Sequence, residues 1–366
     1  MIAGFHAPPR RARTGVADYA AALLGALRRL GRVETGAARA DVHLYHLGNN
    51  QLHRAIYQRA LDRPGVAVLH DAVLMHFLLG ALPRAAFLQE FVYNYGEWAR
   101  DLAARLWAGR ARSAQDPLYF QYPMLRRIAE RSRALIVHNP AAARRVAAHA
   151  PAARAFEIPH LFSPPELPAP AVVLRFRQTL GLGPRTFLFG VFGHLRESKR
   201  LLAVLRAFQA VRRSAGDVAL LVAGDFASTD LERAAAPLLA GPGILRSGYA
   251  PERRFWRLAS SVDACLNLRF PAAGETSGIT IRLMGIGKPV IMSAGEETAR
   301  FPPGTCLKVD PGPGEVEMLA EYVLWLAASP EAARQIGSRG AAHIRERHSL
   351  EAVARRYWEV LCACAD

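Results

Sequence analysis

The sequence is poor in lysine and cysteine. Lysine occurs only at Lys199, Lys288 and Lys308, so arginine supplies the other 44 of the 47 basic residues. A GC-rich coding sequence, which favours Ala, Arg, Gly and Pro, accounts for arginine over lysine. It does not account for a net charge of +16. The four cysteines, Cys265, Cys306, Cys362 and Cys364, form no CxxC pair. That argues against a disulfide scaffold or a zinc site and fits a reducing cytoplasm. No apolar run approaches the ~18–20 residues needed to span a bilayer. The opening MIAGFHAPPRRAR has no basic region before an apolar stretch, so no secretory signal is read there. Also absent are a GxGxxG fingerprint, a GxxxxGK[ST] loop, an HExxH pair and a GxSxG elbow. No helix-turn-helix or RNA-recognition pattern stands out. No metal site is read.

What is present is globular. The chain has 366 residues, 51% hydrophobic and 21% charged, which excludes a disordered or fibrous chain and suggests about two domains. The positive excess suggests anionic partners: phosphates, nucleic acid or an acidic membrane surface.

Short apolar runs alternate with helical patterns. Ile2–Phe5, Asp41–His46, Val66–Leu69 and Leu135–Val137 read as strands. Val16–Leu30 reads as a helix with Tyr19, Leu23, Leu24 and Leu27 on one face. Prolines 151, 159, 164, 165, 168 and 170 then remove backbone donors and predict an irregular interdomain linker. A second series follows, with strands at Phe187–Phe192, Val218–Ala223, Ile244–Leu245, Ala264–Leu268 and Val290–Met292. Helices are predicted at Leu201–Arg213, Ile279–Ile286, Glu315–Ala328 and Leu350–Leu361. This rhythm predicts an α/β protein with two doubly wound parallel sheets, whose ligands bind beyond the carboxyl ends of the strands.

Four turns carry candidate chemistry. Thr14-Gly15-Val16-Ala17-Asp18 opens a helix, where glycine admits close backbone approach or merely forms the turn. His70 and Asp71 follow a strand, where His70 opens into the cleft or packs while Asp71 caps a helix. In His194-Leu195-Arg196-Glu197-Ser198-Lys199-Arg200, a helix start combines with Arg196, Lys199 and Arg200. It suits an anion, or it is a solvated basic loop. Gly274-Glu275-Thr276-Ser277-Gly278 offers backbone N–H groups to an anion and a carboxylate to a polyol, or is a capping arrangement. The aromatics from Phe87 to Tyr122 read as core rather than a sugar platform.

In order and spacing, these segments resemble the family 4 retaining glycosyltransferases. APPRRARTGVADYAAALL resembles the family's N-terminal glycine loop. HLGNNQLH, AVLHDAVLMH and SRALIVHNPAAARRV resemble segments of its acceptor domain. GHLRESKRLLAVLRAF resembles the start of its donor domain, and PAAGETSGITIRLMGIGKPVI its donor-site helix. RERHSLEAVARRYWEVL resembles the helix that crosses back onto the first domain. The resemblance covers nearly the whole chain. It implies a GT-B fold, with two Rossmann-like domains facing across a cleft. The acceptor-side domain would span 1–160, the linker 161–175, the donor domain 176–345 and the returning helix 346–366.

The resemblance implies roles. His70, Lys199 and Glu275 would be catalytic. His70 would lie near the reacting centre, Lys199 would neutralise the diphosphate, and Glu275 would hold sugar hydroxyls. Gly15, Arg196, Arg200, Thr276, Ser277 and Gly278 would bind the donor and its phosphates. Arg10, Arg11, Arg13 and Asp71 would lie on the acceptor side. The implied reaction needs no metal or other cofactor. A UDP- or GDP-sugar would donate to a glycan or lipid-linked acceptor. The protein would be cytoplasmic, with a peripheral membrane contact as a second partner and nucleic acid disfavoured. Two positions depart from the family pattern. His194 replaces an arginine, and Arg282 replaces the glutamate that meets the nucleotide ribose. The departures support a second expectation: a weak or inactive GT-B-like protein that binds a glycan or partner.

Overall fold

The computed structural model describes residues 1–12 and 14–365. Two six-stranded parallel sheets organise them. The first contains β1 (Ile2–His6), β2 (Arg32–Thr35), β3 (Val42–Leu47), β4 (Val66–Leu69), β5 (Ala134–Val137) and β6 (Ala155–Glu157). Its order is β2-β1-β3-β4-β5-β6. The second contains β7 (Phe187–Phe192), β8 (Val218–Ala223), β9 (Ile244–Ser247), β10 (Ala264–Asn267), β11 (Val290–Ser293) and β12 (Leu307–Val309). Its order is β12-β11-β10-β7-β8-β9. Central strands β3, β4, β5, β7, β8, β10 and β11 are buried at every residue. Helices cover both faces of a doubly wound sheet, so its strands are near-continuous apolar runs rather than alternating ones. Strand order reverses between β1 and β3 in one sheet and between β7 and β10 in the other. Such reversals open ligand crevices at the carboxyl ends.

The last helix, Leu350–Cys362, packs on the first domain. Val353, Tyr357 and Leu361 share a core with Leu23 and Leu27 of helix Gly15–Leu30 and with Val66 and Ile136 of the sheet. Burying one such side chain stabilises by about 1.5–3 kcal/mol. The outgoing and returning crossings run side by side. Phe162 N–H donates to the His348 carbonyl at 2.6 Å, and His348 Nδ1 lies 2.6 Å from the His160 carbonyl.

Several expectations need correction. The proline-rich stretch is not wholly irregular: β6 pairs with β5, and Pro170 opens helix Pro170–Thr179. Proline suits the first turn of a helix, where its missing N–H would have no partner. That helix runs across the expected boundary at 175/176, and helix Pro330–Arg347 runs across that at 345/346. The periodicity also misses the edge strands β2, β6 and β12, which have three or four residues and partly exposed patterns. In the aromatic segment, Phe87, Phe91 and Tyr119 are core, while Trp98 is 78% exposed.

Candidate functional site

The reversal between β7 and β10 is a cationic crevice. After β7 the chain turns at Gly193 with φ +84°, where an added Cβ would lie 3.0 Å from Lys199 Nζ. Glycine is favoured there by the positive φ, and a Cβ would crowd the lysine. Lys199 is buried, and its Nζ donates to the Phe192 carbonyl at 2.7 Å. Burial, with Arg269 and Arg196 beside it, pushes its ammonium well below the usual lysine range. An anion placed there would reverse that shift. Arg196 is exposed at the mouth of the turn. Arg200 is held elsewhere. Its Nε donates to the buried carboxylate of Glu315 at 2.9 and 3.2 Å, and its Nη2 bonds the same group. Arg200, expected to bind phosphate, is thus committed to an ion pair within its own domain.

β10 supplies the opposite wall. Asn267 Nδ2 donates to Ser277 Oγ at 2.7 Å and to Thr280 Oγ1 at 2.6 Å. Ser277 caps helix Gly278–Gly285 by accepting from the Thr280 N–H. Arg269 Nη1 pairs with Glu275 Oε1 at 2.7 Å, and Glu275 Oε2 accepts from the Ala273 N–H at 2.7 Å. Behind this loop lies a cavity of about 360 Å³, lined by Phe120, Arg145, Arg269, Glu275, Ser277 and Glu297 among others.

The first domain contributes Asp71. It faces Glu275, Arg196 and Arg269 across the cleft, and its Oδ2 accepts from the Asn49 N–H at 2.8 Å. Burial and the Glu275 carboxylate raise its carboxyl to about 6. Beside it, His70 Nε2 lies 2.9 Å from His46 Nδ1. The rings of His46, His70, His138 and His160 all pack around Tyr19. Desolvation, first of all, lowers these imidazoles: His46 and His160 to about 3 and His138 to about 4, with His70 also well below its usual range.

The structure therefore gathers Lys199, Arg196, Glu275 and Asp71 around one cleft, with Ser277 and Gly278 at the helix start. Thr276 Oγ1 accepts from Asn139 Nδ2 of the first domain. Gly15 sits exposed at its helix start with open space beside it. Arg10 and Arg11 lie exposed on a short helical turn; Arg13 lies outside the described residues. Arg282 stacks over Phe255 and Trp256 at 4.0 and 4.3 Å and donates to Glu252 at 2.6 Å. Asp18 of the first domain faces this pair. The sequence reading missed Arg269, Asn139 and Glu252. Arg269 follows a predicted strand at its carboxyl end, which was an available signal. Asn139 carried the same signal, just beyond the predicted strand Leu135–Val137 and capping the helix opened by Pro140, but its partners across the cleft lie more than 130 residues away; Glu252 had no such signal.

Among the described residues, no group of three or more His, Cys, Asp and Glu could hold a metal ion. No helix of these residues is long and apolar enough to cross a membrane. No protein-family model matches the chain, and no curated protein matches it in sequence. Solved structures do match in fold. Anabaena HepE in complex with UDP-glucose aligns over 99% of this chain and 100% of its own, with 15% identity and a TM-score of 0.70. Sucrose-phosphate synthase from Thermosynechococcus elongatus aligns over 99% and 98%, with 15% identity and a TM-score of 0.69. WaaG, a glycosyltransferase involved in lipopolysaccharide biosynthesis, aligns over 99% of both chains, with 14% identity and a TM-score of 0.65. With two parallel six-stranded sheets matched over its full length, the chain has the GT-B fold of these glycosyltransferases.

Proposed function

We propose that this protein is a retaining GT-B glycosyltransferase that moves a hexose from a UDP- or GDP-sugar to a glycan or lipid-linked cell-envelope acceptor. The observation that carries the reading is the buried Lys199, grouped in the second domain with Arg196, Arg269 and Glu275, with Asp71 of the first domain facing that group across the cleft. Residues 1–160 are the acceptor side, and the domain after the linker is the donor side.

As the anomeric bond breaks, negative charge grows on the departing diphosphate. Lys199, Arg196 and the N–H groups at Ser277 and Gly278 stabilise that charge, which is electrostatic catalysis by preorganised donors. Glu275 holds sugar hydroxyls, and the Thr276 N–H adds to the phosphate donors. His70, kept neutral by burial, donates or accepts a hydrogen bond near the reacting centre without adding charge. Attack from the face of the leaving group retains configuration, and the leaving phosphate takes the acceptor proton. The scheme assigns no role to a metal. Glu252, whose side chain remains 53% exposed beside Arg282, takes over ribose recognition from the position that Arg282 occupies. Residues 1–160 hold 22 arginines against 11 acidic residues, which suits a cytoplasmic protein meeting an anionic membrane face through Arg10, Arg11 and Arg13.

The test is a thermal-shift panel of nucleoside diphosphates and their sugars on the protein and on Lys199→Ala. A ligand that binds only the folded state raises its stability. We expect UDP or GDP to raise the melting temperature and Lys199→Ala to shrink the rise while leaving measurable binding. Unchanged binding in the variant overturns the role of Lys199. A second reading, a binding protein without transfer, is favoured by Arg282 in place of the glutamate. Slow donor hydrolysis by the purified protein, lost in His70→Ala, would count against it.

A further inference from the structure

The segment that carries Glu275 belongs to the second domain but is fastened to the first. Three successive carbonyls accept hydrogen bonds across the cleft. Arg145 Nη2 donates to Ala272 O at 3.3 Å, the Ala72 N–H to Ala273 O at 2.7 Å, and Asn139 Nδ2 to Gly274 O at 2.9 Å. Asn139 Nδ2 also lies 3.0 Å from Thr276 Oγ1, which in turn donates to the His138 carbonyl at 3.3 Å. Gly274 has φ +74°, and a Cβ there would lie 2.5 Å from Arg145 Nη1 and 2.7 Å from Ala72 Cβ. No side chain fits between strap and first domain.

Asn139 is suited to this task because its amide is fully used. It is 2% exposed. Its Oδ1 accepts from the Ala142 N–H at 2.9 Å as the cap of helix Pro140–His149. That bond fixes which way the amide faces and aims both amide protons at the strap. The same contacts set the separation of two carboxylates. Ala72, which grips Ala273, directly follows Asp71, and Glu275 follows Gly274.

We infer that Asn139 is a positioning residue. It holds the Arg269–Thr276 strap against the first domain, so that Glu275 and Asp71 keep one spacing across the cleft and the sugar site is complete only while the domains are docked. This inference rests on the reading above that the cleft takes a nucleotide sugar and that Glu275 meets its sugar.

The test is Asn139→Asp in the full chain. The carboxylate keeps the cap and the shape of the side chain but has no proton to give the Gly274 carbonyl. Hydrogen exchange of peptides covering 269–277 is expected to quicken at least ~10-fold, with β7 and β8 unchanged, because only the local opening is eased. Calorimetry is expected to show UDP bound within about twofold of the wild type, while the extra affinity of the UDP-sugar over UDP disappears. Turnover of the donor is expected to fall about 10- to 100-fold, the scale of a small misplacement of a reacting group. Unchanged exchange at 269–277 overturns the inference, as do equal losses of UDP and UDP-sugar affinity. If the wild type binds neither UDP, GDP nor a sugar of either, the nucleotide-sugar reading falls, while the exchange result still decides whether Asn139 holds the strap. Gly274→Ala gives a second route, should the aspartate variant fail to fold. Its methyl pushes the strap off Ala72 with the Asn139 cap intact, and the same quickening over 269–277 is expected.

Discussion

The Tyr19 hydroxyl lies 2.8 Å from the Tyr357 hydroxyl, joining the first helix of the chain to the last. Both residues are buried. Removing one partner leaves the other hydroxyl buried and unsatisfied, which costs about 1–3 kcal/mol. Tyr357→Phe is therefore expected to destabilise the protein by that amount in urea denaturation. Tyr19→Phe/Tyr357→Phe together should cost less than the sum of the two single changes. Strict additivity would show that the bond contributes nothing.

Acid should destabilise the protein through its imidazoles. His46, His138 and His160 are depressed to between about 3 and about 4, against 6.5 for an exposed ring. The folded state favours their neutral forms, so the full stability is present above pH 6.5. It falls as the pH drops from 6.5 toward 3–4, where the folded protein would itself take up protons. At pH 5 the expected loss is on the order of 2 kcal/mol per group. A melting temperature that stays flat from pH 7 to pH 5 would contradict the burial of these rings.

Binding of a nucleoside diphosphate should take up protons. Burial and neighbouring arginines lower Lys199, and an anionic phosphate beside it raises its proton affinity again. Calorimetry of UDP binding in buffers of different ionisation enthalpy should show proton uptake at alkaline pH. The uptake should vanish in Lys199→Met.

Arg200 should matter for stability rather than for phosphate. Its partner Glu315 is only 1% exposed while Arg200 is 35% exposed, so leaving the carboxylate unpaired costs less than the about 3–5 kcal/mol of a fully buried pair. Arg200→Ala is expected to lower the melting temperature markedly while leaving UDP affinity within about twofold, since RT ln 2 is only about 0.4 kcal/mol. A tenfold loss of UDP affinity in a folded variant would return Arg200 to the phosphate site.

Strands buried on both faces were legible in the chain. Phe187–Phe192 and Val218–Ala223 have the bounds read from their apolar runs. The turn that brings Lys199 to the end of β7 was legible because it follows a strand read from its apolar run. The pairing of Arg200 with Glu315 was not legible because the partner lies 115 residues away. A guanidinium in a basic turn looks the same in sequence whether it faces a ligand or a glutamate. His70 was picked from its place after β4, but its neighbours His46, His138 and His160 were not. Each sits on a separate segment, and only the stacking of β3, β4 and β5 side by side brings the first three together.

By itself the sequence determined the two-domain α/β architecture and the strand-to-helix turns at 193–200 and 274–278. These follow from local periodicity, caps and strand ends, all encoded within a few residues. Only the tertiary structure decided which charges meet. The pairing of Arg269 with Glu275, the diversion of Arg200 to Glu315 and the grip of Asn139 on the Glu275 strap are contacts of low-dielectric interiors. Their strength depends on distance and burial, which parallel strand order sets and spacing along the chain does not.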